Sequence, residues 1–200
     1  MKFFNHNDVN SMNIEEVIHR IIRFTEALSE FWSSAQGWAP IEAAQLLTKS
    51  RLDWQVSLSH CLSIWVDNPT IEEYEGGLIL AWSNLGSLVE GTMKLFLSVY
   101  YMDYQVDVEA IKNRDKLVEP DRIELEKLRQ YFTKRIWDID SSWDESVLHI
   151  QQRRNAIHSF RDREIGSFDD FRLDVRRYLE FIRYHNSRLP YPDEVFSPFF

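Results

Sequence analysis

The sequence predicts an all-α protein, a bundle of five to six helices, on three observations. Glycine and proline together are only 12 of 200 residues, about half the usual share, so the chain lacks the turn density of an all-β or collagenous protein. Apolar residues recur at three- and four-residue steps over long stretches, the period of a helix with one buried face. Polar capping residues stand ahead of several of those stretches. With 44% hydrophobic and 28% charged residues, 200 residues suffice for a real core and do not read as disordered.

The first helix is expected at about 14–34, opened by Asn13 with Glu16 three residues on and carrying Val17, Ile21, Phe24, Leu28 and Phe31 on one face. Gly37 and Pro40 separate it from a second helix, expected at 40–66, which stops at Asp67-Asn68-Pro69. Thr70 and Glu73 open a long third helix to about Tyr104. Residues 105–119 read as a polar connection, and no strand is predicted. Pro120 starts a fourth helix to about Trp137, and Ser142 with Glu145 opens a fifth that runs towards Phe160. Ser167 and Asp170 cap the last helix, to about Leu189, before a Pro- and aromatic-rich tail. Neither a repeat nor a linker divides the chain. The expectation is one helical domain, 1–200, with two N-terminal helices at 14–66 and the tail at 190–200 folded back on the core. Gly86 and Gly91, with Ser83 and Ser87, form a small-residue stripe where another helix should approach the third closely.

Charge narrows the functional classes. A formal net charge of −9 opposes a protein whose whole surface tracks nucleic acid, because that binding depends on Lys and Arg displacing counterions. The distribution is uneven, however. Residues 1–150 hold 14 Lys and Arg against 24 Asp and Glu, whereas 151–188 hold nine Arg, no Lys and six acids. An all-Arg segment suits bidentate phosphate contacts, or forms a solvated helix face with its own ion pairs. A single cysteine, Cys61, and the lack of an apolar leader at the start predict a cytoplasmic location. Glu90 and Lys94 near the middle of the most apolar stretch, 77–102, predict that it does not span a membrane.

Several chemistries find no residues to carry them. No Cys pair, His-Glu-x-x-His or Glu-x-x-His occurs, and His149 and His158, nine residues apart, face opposite ways on a straight helix, so neither a metal nor another cofactor is predicted. Phosphate-cradling glycine loops are absent. His60-Cys61 reads as a packed helix position, and Glu72, Glu73 and Glu75 as favourable charge near a helix N-terminus.

One cluster remains: Gln151-Gln152-Arg153-Arg154-Asn155-Ala156-Ile157-His158. On a helix Arg154 and Asn155 lie within about 60° of His158, while Arg153 lies about 140° away. A histidine that moves a proton, an arginine that stabilises charge on phosphorus and an amide that orients them suit phosphodiester cleavage. The other reading is an ordinary polar helix end.

This cluster resembles the signature of the HEPN superfamily, all-helical domains common in prokaryotic toxins and phage-defence systems. That signature is an Arg, commonly followed by Asn, Asp or His, and then a His a few residues later. Arg153 satisfies the spacing to His158 but is followed by Arg154, and Arg154 is followed by Asn155 but stands one residue too close to His158, so each Arg meets half of the signature. Family members often place an acidic residue on an earlier helix against the motif, and Glu90 in Leu88-Val89-Glu90-Gly91-Thr92-Met93-Lys94 matches it. The likeness covers about 70–189. It implies a metal-independent endoribonuclease that serves as a toxin or defence-system component. In that role His158 is the general acid/base, Arg153 or Arg154 stabilises charge and Asn155 positions them. The site is completed in a homodimer and the partners are RNA or nucleotide and a cognate antitoxin or regulatory protein. The alternative is a non-catalytic HEPN-like dimer that binds a nucleotide or a protein. The large number of aromatic residues is a further reason to expect a dimer.

Overall fold

The computed structural model describes residues 6–67, 70–158 and 162–191. Within them the chain forms α1 His6–Ser11, α2 Ile14–Ser33, α3 Ile41–Lys49, α4 Leu52–Cys61, α5 Tyr74–Val99, α6 Tyr101–Val106, the strands β1 Lys112–Asn113 and β2 Lys116–Leu117, α7 Leu125–Arg135, α8 Trp143–Arg154 and α9 Phe168–Asn186. The protein is mostly helical, as expected. Among the described residues nine α-helices replace the five or six expected, because two long segments break and a short helix, α1, forms ahead of the first one expected.

Each break has a local cause. The segment at 40–66 divides at Ser50, whose backbone is extended (φ −67°, ψ 140°). Thr48 and Ser50 turn their hydroxyls onto the carbonyls of Ala44 and Leu47, offering the backbone an alternative to further helix. The third segment turns at Tyr100 (φ −91°, ψ 29°), which separates α5 from α6. Residues 105–119 contain an antiparallel hairpin pairing Lys112 with Leu117 and Asn113 with Lys116. Its turn residues, Arg114 and Asp115, both have positive φ (48° and 63°). That geometry usually calls on Asn or Gly, so an Arg-Asp pair carries no signal in the sequence. Ser167 and Asp170 form the reciprocal capping box, whereas the Ser142 side chain makes no capping bond. There Asp144 instead accepts from Arg129 (2.5 Å) and Thr133 (2.6 Å), tying α8 to α7.

α5 is the axis of the assembly. Fourteen of its residues are buried, and α3, α4, α7, α8 and α9 pack against it. One hydrophobic core runs from Val9 to Leu189. It absorbs Trp32, Trp82, Tyr104, Tyr178, Phe24, Phe132, Phe168 and Phe171, each almost fully buried. The aromatic content is thus largely taken up inside the chain, and it does not by itself call for a second copy. At the C-terminal end Tyr191 packs on Phe31 and Trp32; residues 192–200 of the tail, with Phe196, Phe199 and Phe200, lie outside the described residues. No helix among the described residues is long and apolar enough to cross a membrane.

Arginines on α9 and just beyond it serve the fold. Arg172 donates to the Val66 carbonyl (2.7 Å), Arg176 to those of Val9 and Met12 (2.9 and 2.7 Å), and Arg188 to that of Ile136 (2.7 Å). These carbonyls sit at or just beyond the ends of other helical segments, where no intrahelical partner exists.

His185, 2% exposed, accepts from the Trp137 indole (3.1 Å) and hydrogen-bonds the Phe181 carbonyl through Nδ1 (2.8 Å), so it is neutral with its proton on Nδ1. Burial drives its pKa down to about 3, against about 6.5 in an unfolded chain. The unfolded state therefore takes up the proton first as pH falls, and stability present above about pH 6.5 is lost towards pH 3. Urea denaturation should show stability falling between pH 6.5 and 5 by up to about 1.4 kcal/mol per pH unit, before most carboxylates protonate. His185→Gln should flatten that slope; an unchanged slope would mean that His185 is not the titrating group.

Candidate functional site

α8 ends at Arg154, and the chain tightens into a three-ten turn, Asn155–His158. This turn keeps Arg154, Asn155 and His158 around one groove, which they line with Ser83, Ser87 and Glu90 of α5, Glu124, Leu125, Glu126, Gln151 and Ile157. Its volume is about 580 Å³. Ser83 and Ser87 of the small-residue stripe on α5 line it, and Gly86 lies beneath the Arg154 stem. A Cβ on Gly86 would stand 2.5 Å from Arg154 Cδ and 3.1 Å from Arg154 Cβ, so the missing side chain is what lets the arginine stem lie against the helix. Gly91 is approached differently, by the terminal amide of Gln55 from α4, a group that can swing aside.

Glu90 fixes the Arg154 guanidinium: Oε2 is 2.5 Å from Arg154 Nη1, and Oε1 is 2.7 Å from Lys94 Nζ. Burial pulls the Glu90 carboxyl upwards, but the bonds from Lys94 and Arg154 outweigh it and leave it below the usual carboxylate range. Among the described residues nothing bonds His158, which is exposed. The groove thus presents a held arginine, a free imidazole and an amide. It also presents three carboxylates, of which Glu126 is paired with Arg129 (2.9 Å).

Arg153 belongs elsewhere. It is 9% exposed, and its guanidinium lies 5.1 Å over the Trp82 ring with Nε donating to the Ile165 carbonyl (3.3 Å). Its Nη1 meets the His149 ring, 2.6 Å from Nδ1, and His149 Nε2 lies 2.9 Å from Asp174 Oδ2 of α9. Asp174 is 2% exposed; burial raises its pKa, against the pull of His149, Arg177 and Arg153. Arg153, His149, Gln152, Arg163 and Glu164 line a second groove. The motif is therefore divided between two grooves, in the sense that the 140° separation predicts. The sequence did not reveal the His149–Asp174 pair. Twenty-five residues separate the two, and His149 had drawn attention only as a possible metal ligand. No group of three or more His, Cys, Asp or Glu able to hold a metal occurs among the described residues.

Replacing Gly86 with Ala should overpack the contact with Arg154 and lower stability by about 1 to 3 kcal/mol, read as a melting temperature lower by about 2 to 4 °C per kcal/mol. Gly76→Ala is the control: nothing lies within 4 Å of a Cβ there, and alanine in a helix should hold or raise the melting temperature. Equal behaviour of the two variants would contradict the close approach at Gly86.

Compared with models of known protein families, with curated proteins and with solved structures, the chain has no match, so the chemistry of these residues rests on their geometry alone.

Proposed function

We propose that the protein is a metal-independent endoribonuclease of the HEPN type, acting as a homodimer in which the groove at the end of α8 receives the scissile phosphate. The observation that carries this reading is the common groove of Arg154, Asn155 and His158. His158 transfers the proton between the attacking RNA 2′-hydroxyl and the leaving 5′-oxygen, and Arg154 neutralises charge on the phosphorane. Asn155 holds the phosphate in line. Glu90 is a positioning residue that aims Arg154. Because Arg153 faces the other groove, Arg154 is the arginine assigned to the reaction. The dimer and a toxin or defence setting follow from the family resemblance.

A second reading draws on a different feature of the groove. Glu90, Glu124 and Glu126 line it with His158, and carboxylates repel an RNA backbone. This favours a non-catalytic HEPN-like dimer that binds a nucleotide or a protein partner.

The two readings separate on purified protein in EDTA. Cleavage of single-stranded RNA to 2′,3′-cyclic phosphate ends should proceed without a metal, and His158→Ala should lower its rate by about 10² to 10⁴. Arg154→Ala should lose rate at unchanged RNA affinity, and more than Arg153→Ala does. Equal residual activity in wild type and His158→Ala would trace the cleavage to a contaminant. Failure of the wild type to cut any RNA between about pH 6 and 8 would favour the binding module.

A further inference from the structure

We infer that the second groove, between the end of α8 and the segment leading into α9, is a binding site for a phosphate monoester, held by Arg153 and Arg163 with Gln152 beside them. The inference stands independently of RNA cleavage at the first groove.

The starting point is an uncompensated charge. Arg153 is 91% buried by its 9% exposure, and a buried cation is normally paired with a carboxylate in direct contact. Arg154, next in sequence, is paired in that way with Glu90. Arg153 has no such partner among the described residues. Its three neighbours in contact are a carbonyl, an imidazole and an indole face. Asp170 and Asp174 act on it through space only: Asp170 is committed to the Ser167 cap, and Asp174 to His149 and Arg177. The Arg153 guanidinium is a positive charge held at a groove without an anion against it.

The charge is also held rigidly. Trp82 bonds the Ile165 carbonyl through its indole nitrogen (2.8 Å), and Arg153 bonds the same carbonyl, so the ring and the guanidinium are locked to one point of the chain. Gly166 follows with φ +68°, and a Cβ there would lie 2.9 Å from Arg153 Nη2. Only glycine both adopts that backbone without strain and leaves that guanidinium edge uncovered. Preorganised donors of this kind lose little entropy when an oxyanion arrives.

The remaining lining supplies a phosphate with further donors. Arg163 is exposed and makes no hydrogen bond or ion pair among the described residues, in contrast to Arg172, Arg176 and Arg188, which are occupied by carbonyls. Gln152 on the lining offers an amide, whereas both His149 ring nitrogens are already engaged, by Arg153 and by the buried Asp174. The groove, about 380 Å³, has room for a mononucleotide. Glu164 on the lining repels a second phosphate, so a single monoester fits better than a run of nucleic-acid backbone.

The experiment titrates the full chain with inorganic phosphate and with adenosine 5′-monophosphate, followed by calorimetry and by NMR of the arginine side-chain N–H groups. One saturable site per chain is expected, with an affinity at least about tenfold weaker in Arg163→Ala and in Arg153→Lys. Arg163 is exposed, so its variant folds, which circular dichroism checks. Arg154→Ala and His158→Ala should bind as wild type does. Competition between phosphate and the mononucleotide assigns the site to the phosphoryl group alone. Binding of a 5′-phosphorylated oligonucleotide but not of its 5′-hydroxyl counterpart assigns it to a nucleic-acid terminus. Three results would overturn the proposal: no saturation by either probe up to about 10 mM, equal binding by wild type and Arg163→Ala, or loss of binding in Arg154→Ala, which would put the anion in the first groove.

Discussion

Burial of α5 on nearly every side is the constraint on which the rest of the structure depends. A helix in that position must be apolar around its circumference, and 78–98 comply with Leu, Ala, Trp, Val, Met and Phe. Most of its polar residues sit where a group answers them; the exception is buried Asn84, whose amide atoms have no hydrogen-bond partner among the described residues. Thr92 meets the Tyr178 hydroxyl (3.0 Å), Ser83 and Ser87 bond their own helix, and Glu90 meets two cations. The helix also has to let neighbours in. Gly86 answers that need for α8, because a packed interior has no slack to absorb an extra methyl beneath Arg154.

The contact between α5 and α8 explains why two adjacent arginines have separate fates. Successive residues on α8 are rotated by about 100°. Arg153 consequently passes over Trp82 and Arg154 over Gly86, positions one turn apart on α5. Trp82 closes one path with a broad ring and Gly86 opens the other. A guanidinium over an aromatic face is favourable without any counter-charge, which makes the first position tolerable when empty of anion. A guanidinium against a glycine gains packing but needs Glu90 to fix its head.

The cationic residues of the C-terminal segment divide in the same manner. Arg172 and Arg176 on α9 and Arg188 just beyond it clamp carbonyls left unpaired at helix ends, so much of a segment that is basic in composition is spent on holding α9 to its surroundings. Positive charge free to meet a ligand is concentrated where α8 ends and the chain turns towards α9. The net acidity of the remainder, including Glu124 and Glu126 on the first groove, keeps that positive surface small.

The sequence by itself determined the helical class, the main helical segments and the stripe on α5, because those depend on periodicity and capping within a few residues of chain. Helix α2 begins at Ile14 and α9 is capped by Ser167 and Asp170, as local chemistry requires. The placement of Arg154, Asn155 and His158 on one groove was also legible, since one helical turn relates them. Four features lay beyond reach. The breaks at Ser50 and Tyr100 fall where no Gly or Pro marks them, and the hairpin at Arg114-Asp115 adopts positive φ without glycine. The pairing of His149 with Asp174, and the isolation of Arg153 behind Trp82, were decided only by tertiary structure. They join residues on three separate helices, and only the packing of α8 and α9 against α5 brings those residues into contact.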